Sequence, residues 1–384
     1  MSWKQTTLGE IVNLKRGFDL PASKRIEGPY PIYSSSGQTG THSEAAVNGP
    51  CVITGRYGTI GQVFFSDKSC WPLNTSLYST DFKGNNPRFV YYLLKTIPWQ
   101  EYTTASAVPG INRNHVHLCP VCVPDYRTQT AIASVLGALD EQIVVNTKLN
   151  GYLLELLKAS AKNLYAEYER NEELELPVGW RWIEVGEISE MVCRGITPKY
   201  NQNSDETVLG QTCVRNNLVL LENGRLHSPK KVTEKWLQKY DLLINSTGVG
   251  SLGRTAQIWF EPTKLVVDSH VTIVRCKDEK HALYLGFWAF EHEKYIESLH
   301  TGSTGQTELP RDHVKIIRLV LPSDEALEGF NKMSEPSVRL IAANQEESKR
   351  LATLRAALLP KLMSGEIDVS KIDLTQLNSH LCDC

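Results

Sequence analysis

Four short stretches between strand-like runs are polar and rich in glycine, of a kind that can contact a nucleic acid. They are residues 33–40 (Tyr-Ser-Ser-Ser-Gly-Gln-Thr-Gly), 54–58 (Thr-Gly-Arg-Tyr-Gly), 245–248 (Asn-Ser-Thr-Gly) and 301–306 (Thr-Gly-Ser-Thr-Gly-Gln). Small hydroxyl and amide side chains with free backbone N–H groups can approach phosphates closely, while Arg, Gln and Asn carry the paired atoms that match guanine and adenine edges. Such residues suit a duplex. For any one of these stretches an ordinary tight turn is the simpler reading; their recurrence at equivalent places in the two halves of the chain favours a shared binding face.

Bond-breaking chemistry is poorly represented. There is no GxxxxGK[ST] nucleotide loop, no Asn-Pro-Pro-Tyr or Asp-Pro-Pro-Tyr methyltransferase motif and no HExxH zinc helix. Gly248-Val249-Gly250-Ser251-Leu252-Gly253 matches the dinucleotide fingerprint GxGxxG, but Arg254-Thr255-Ala256-Gln257-Ile258-Trp259-Phe260 behind it is strand-like rather than helical, so a hairpin is expected. Cys119 and Cys122 form a lone CxxC pair, whereas structural zinc wants four convergent ligands. His115 and His313 occupy matching places beside strands, where structural hydrogen bonding is the expected role. No catalytic residue, metal or cofactor is expected.

The elements that must position these turns form a repeat. Trp3 and Leu8-Gly9-Glu10-Ile11 align with Trp180 and Val185-Gly186-Glu187-Ile188; Gly58-Thr59-Ile60-Gly61-Gln62 aligns with Gly250-Ser251-Leu252-Gly253-Arg254; and Arg113-Asn114-His115-Val116 aligns with Arg311-Asp312-His313-Val314. Each copy then reaches a short apolar strand ending at Pro124 or Pro322, followed by a long helical pattern. The order is domain (1–125), helix (126–173), domain (174–322), helix (323–369) and a polar tail (370–384). Short β-like runs such as Cys51-Val52-Ile53 alternate with helical stretches at 87–96 and 282–298, which makes each domain mixed α/β.

The first helix should run from about 127 to 168, with Ile132, Leu136, Leu139, Ile143, Leu153, Leu157 and Leu164 at coiled-coil spacing. At ~1.5 Å per residue it would span roughly 60 Å, the length of a spacer. Phe330, Val338, Ile341, Leu351, Leu354, Leu358 and Leu362 anchor the second, whose main body should begin near Ser337 because Pro336 breaks or kinks its start. Asn146 and Asn344 take matching seam positions, where a polar residue fixes register, or else face solvent. Antiparallel packing is expected, since the second domain lies between the helices in sequence. The expected fold class is thus α/β: two mixed α/β domains separated by two long antiparallel coiled-coil helices in a pseudo-twofold repeat.

Composition narrows the class. The chain has 384 residues, 41% hydrophobic and 22% charged, with a net charge of −2. Residues 1–125 carry 11 Lys and Arg against 8 Asp and Glu, so a nucleic-acid contact must come from local patches. Nine scattered cysteines fit a reducing compartment, and with no long apolar run a cytoplasmic protein without a membrane partner is expected.

The repeat, its helices and the closing Leu358-Leu359-Pro360-Lys361-Leu362-Met363-Ser364-Gly365-Glu366-Ile367 resemble the specificity subunits of type I restriction-modification enzymes over essentially the whole chain. The resemblance implies two target-recognition domains, 1–125 and 174–322, each reading one half of a split DNA site. It also implies helices that set the distance between halves and dock modification subunits, a partner that methylates adenine, and restriction (helicase-nuclease) subunits. Unlike domains imply a target that is not a palindrome. The rival reading is a coiled-coil scaffold binding proteins rather than DNA.

For DNA contact the candidates are Ser35, Ser36, Gln38, Arg56, Tyr57, Thr59, Asn74 and Arg113 in the first domain. Lys199, Asn216, Asn245, Thr247, Ser251, Arg254, His270 and Gln306 are those of the second. For partner docking they are Leu153, Leu157, Leu351, Leu354 and Leu358.

Overall fold

Alternation of side chains builds the sheets. In the strand Pro120–Pro124, Val121 and Val123 face the core while Cys122 faces out, so Cys119, itself buried, and Cys122 do not converge. Helix Pro87–Lys95 starts where Asn86 accepts the Arg88 and Phe89 N–H groups and Pro87 supplies a first-turn residue needing no donor.

The computed structural model describes residues 3–103, 109–228, 235–302 and 307–371. It divides into two units, Met1–Val144 with Ser348–Cys384, and Val145–Glu347. No helix of the described residues is long and apolar enough to cross a membrane.

In the first unit a four-stranded antiparallel sheet runs Asn13–Arg16, Ser76–Asp81, Cys51–Gly55, Val63–Ser66. A three-stranded sheet runs Gly37–His42, Tyr30–Ser34, Trp71–Pro72, its last pair parallel, and Trp3–Thr7 pairs with Pro120–Pro124. The second unit has the same order. Its four-stranded sheet is Ser189–Arg194, Val271–Cys276, Leu242–Asn245, Thr255–Gln257; its three-stranded sheet is Arg225–His227, Glu206–Leu209, Leu265–Val267, again ending in a parallel pair; and Arg181–Glu184 pairs with Arg318–Leu321. Residues 248–253 are the turn between the antiparallel strands Leu242–Asn245 and Thr255–Gln257, a hairpin and not a dinucleotide loop.

The long helices are Tyr126–Arg170 and Asp324–Met363. Each is shared between units, and the reason is packing: Ile132, Ala133, Val135 and Leu136 lie in the first core, and Leu157, Ala161 and Tyr165 in the second. The end of the second helix closes the first unit, where Leu362, Met363 and Val369 are buried and Gly365 lies so close to the Trp3 indole that a Cβ would come within 2.7 Å. Within the second unit the helices run in opposite directions: Asn146 donates to Glu347 (2.7 Å), Asn344 to Asn150 (2.7 Å), Asn150 to the Ile341 carbonyl (3.1 Å), and Ser160 meets Met333. Asn146 and Asn344 are both buried, so they face the seam.

Pro336 does not break its helix, which begins twelve residues earlier, at Asp324. Pro336 and Lys332 are both exposed, so the carbonyl that loses its partner meets water, while Ser334, Val338 and Ile341 hold the opposite face in the core.

Candidate nucleic-acid interface

The sheet edge of the first unit brings its polar turns together around Thr75. The Ser35 N–H donates to Thr75 Oγ1 (3.3 Å), and the Arg56 and Tyr57 N–H groups donate to the Thr75 carbonyl (2.9 and 3.2 Å). Asn74 precedes Thr75 and its amide reaches Asp19. Thr59 closes the turn over Gly55, where a Cβ would lie 2.0 Å from the Thr59 carbonyl. Ser36 caps the hairpin through Ser34 (2.9 Å), and Gln38 is exposed on the following strand.

Below this edge opens a cleft of about 320 Å³ lined by Arg16, Arg56, Tyr57, Asn112, Arg113 and Asn114 among others. The Arg56 guanidinium lies 4.5 Å from the Tyr57 ring centre, and its Nε donates to the Ile111 carbonyl (3.4 Å). A planar cation held against a ring keeps its remaining donors in a fixed fork. Gly110 is needed for this: a Cβ there would come within 2.2 Å of the Tyr57 ring. Arg113, Asn112 and Asn114 are exposed, and Asn112 Oδ1 is occupied by the Asn114 N–H (3.0 Å), which leaves the Asn112 amide as a donor.

The second unit is arranged differently. Thr247 Oγ1 meets His270 Nδ1 at 2.9 Å and accepts from Gln211 (2.9 Å), so Thr247, His270 and Gln211 form one polar cluster. Beside it Tyr200, stacked by Arg225 at 5.0 Å, lines a smaller cleft of about 140 Å³ with Gln211, Thr212, Asn223 and Asp268. Burial pushes the Asp268 carboxyl up, against the His270 N–H that bonds it (2.9 Å). Lys199, Asn216 and Arg254 are exposed, Arg254 at the far end of the hairpin turn that carries Thr247 and Asn216 at φ 53°.

Two candidates are corrected. Asn245 has no accessible surface and donates to the Gln211 carbonyl (3.1 Å), and Ser251 is buried with its hydroxyl on the Thr247 and Gly248 carbonyls; both shape the turn and neither can touch a base. Gln306 lies outside the described residues. Among the leucines, Leu157 has no accessible surface and belongs to the second core, so it cannot meet a partner. Leu153 and Leu351 are half-buried, Leu358 packs on the first core, and Leu354 is exposed.

Residues 1–154 match the family model of the type I restriction modification DNA specificity domain. Over those residues the chain is similar to that family. It is also 24% identical to the type I restriction enzyme MjaIX specificity subunit of Methanocaldococcus jannaschii, covering 74% of this chain and 70% of the relative. With the type I restriction enzyme HindI specificity subunit of Haemophilus influenzae it shares 20% identity across 95% of this chain and 99% of the relative. The fold is that of the type I restriction-modification S subunit from M. genitalium, with a TM-score of 0.64 at 17% identity over 94% of this chain and 96% of that one.

Within the first unit, reasoning from loops alone misses Arg16, Asn112 and Asn114. A signal for Arg16 was present. Lys15-Arg16-Gly17-Phe18 and Cys193-Arg194-Gly195-Ile196 stand at the ends of matching strands, and at both glycines a Cβ would run into backbone, at 2.3 Å and 2.1 Å. In the second unit Gln211 and Arg225 were missed because their loops carry no glycine-rich signature.

Proposed function

We propose that this chain is the non-catalytic, sequence-reading subunit of a restriction-modification enzyme: each unit reads one half of a split, non-palindromic DNA site, and the chain directs partner adenine methyltransferase and restriction subunits to it. The observation that carries the reading is the second use of one strand order, in a chain whose first 154 residues match the model of a DNA specificity domain. Two like frameworks with unlike loops call for two unlike half-sites. The first frame offers three arginines in one cleft; the second offers Thr247, His270 and Gln211 beside Tyr200 and Arg225.

Partner docking falls to the helices. Val145, Leu149, Tyr152 and Leu156 follow one another at steps of four, three and four and are 53%, 38%, 74% and 57% exposed, an apolar stripe on the outer side of the first long helix. It is the surface we assign to the methyltransferase subunit.

The test uses the chain purified with its methyltransferase subunit. Mapping methylated adenines in cells that express both should return two short unlike sequences at a constant separation of about one helical turn. In vitro the complex should prefer that site to random duplex by at least 10³-fold, and its affinity should fall steeply with salt. A protein-binding scaffold would show neither preference nor salt dependence, and that result would refute the proposal.

A further inference from the structure

The two units share a frame that makes their arginines comparable position by position. Arg16 stands in the sheet row Arg16, Leu77, Thr54, and Arg194 in the row Arg194, Thr272, Ile244. Two residues beyond Thr54 and Ile244, Ile111 donates to the Arg56 carbonyl (3.0 Å) as Leu309 does to that of Ser246 (2.8 Å). Isolated bridges pair Gly110 with Tyr57 and Glu308 with Thr247. Gly110 and Glu308 are therefore equivalent, and so are Arg113 and Arg311.

That one exchange reverses the electrostatics. In the second unit Glu308 binds the Arg194 guanidinium (2.8 Å), which is further held by the Leu309 and Ser269 carbonyls (2.8 and 3.2 Å) and is only 18% exposed. Arg311 lies 4.0 Å from Asp312. In the first unit a glycine stands where the glutamate would be, and no carboxylate is among the residues that line the cleft. Arg16 is 55% exposed and has Asp19 at 4.0 Å, a contact weak enough for a stronger anion to displace. Among the described residues no ion pair is formed by Arg56 or Arg113. Three guanidinium groups lining one cleft, with a single weakly held carboxylate beside them, favour the entry of an anion.

We propose that the cleft of Arg16, Arg56 and Arg113 seats the phosphodiester backbone of one DNA strand, and that the second unit has no counterpart because Glu308 already neutralises Arg194 and Ser246 stands in the place of Arg56. This rests on the DNA-reading function and adds an asymmetry: the first unit supplies the sequence-independent grip, and the second depends on its polar cluster and stacked ring.

The experiment measures affinity of the full chain for fluorescein-labelled duplex of random sequence over a series of KCl concentrations. Arg16→Gln and Arg113→Gln should each lessen the slope of log K against log salt by about one, while Arg311→Gln leaves it unchanged. Arg113→Lys should keep the slope, because a point charge still neutralises a phosphate. Equal effects of Arg113→Gln and Arg311→Gln would overturn the asymmetry. A loss confined to sequences differing at one base position, with Arg113→Lys as damaging as Arg113→Gln, would make the cleft a base reader and overturn the phosphate assignment while the DNA-reading function stands. If the unsubstituted chain binds no duplex at any salt, the underlying function fails first.

Discussion

His117 shows how closely the arginine cleft is tied to the framework of the first unit. Its Nε2 accepts the Leu14 N–H at 3.0 Å, which requires that nitrogen to be unprotonated. Burial holds the imidazole below its ordinary value, and the nearby cations of Arg113 and Lys83 push the same way. The unfolded chain binds a proton near pH 6.5, and the folded chain only at lower pH. Stability from this group is therefore complete above about pH 6.5 and is lost as pH falls toward the folded value. His117→Gln keeps an acceptor that does not titrate, so urea midpoints measured from pH 7 to 5 should fall less steeply than in the unsubstituted chain; an identical profile would mean that the ring is charged when folded. Polar residue types were readable in the sequence, but their direction was not. Asn245 and Ser251 look like Thr247 in one dimension, and only the hairpin decides that two point inward and one reaches His270.

At the scale of elements, the sequence located both long helices to within a few residues because their apolar spacing persists for many turns. It misplaced the start of the second by treating Pro336 without regard to which face it occupies. On a wet face the lost hydrogen bond goes to solvent, and the tertiary packing of Phe330, Ser334, Val338 and Ile341 outweighs the local penalty. The outward stripe was missed for a related reason: Val145, Leu149, Tyr152 and Leu156 recur at steps of three and four, as does the buried set Asn146, Asn150, Leu154 and Leu157, so periodicity alone cannot tell an exposed stripe from a core. Substituting Tyr152→Glu and Leu156→Glu separates the two. Both side chains are more than half exposed, so unfolding free energy should change by no more than about 0.5 kcal/mol per site. Association with the methyltransferase subunit, followed by co-purification and titration calorimetry, should weaken at least tenfold. Intact association would move docking to another surface.

For the whole molecule, the repeat was the readable part. The aligned tryptophans, the Gly-Glu-Ile turns and the Arg-x-His-Val segments sit at equivalent points of two units with one strand order, because those residues build the frame rather than the variable loops. What the linear order concealed is that neither helix is a domain of its own, since each contributes one part to either core. That division says where the chain tolerates lengthening. Four residues inserted after Val144, and four more after Glu347, fall at the boundary between units and leave both cores intact. Four residues make slightly more than one helical turn, about 6 Å, so each helix keeps nearly the same face to its partner. If the helices measure the distance between half-sites, the lengthened chain should direct its methyltransferase partner to a target with both half-sites unchanged and the gap between them longer by about one to two base pairs, at ~3.4 Å each. Sequencing of modified adenines reads this directly. An unchanged gap with full activity would show that something other than helix length sets the spacing, and the two helices would then serve docking alone.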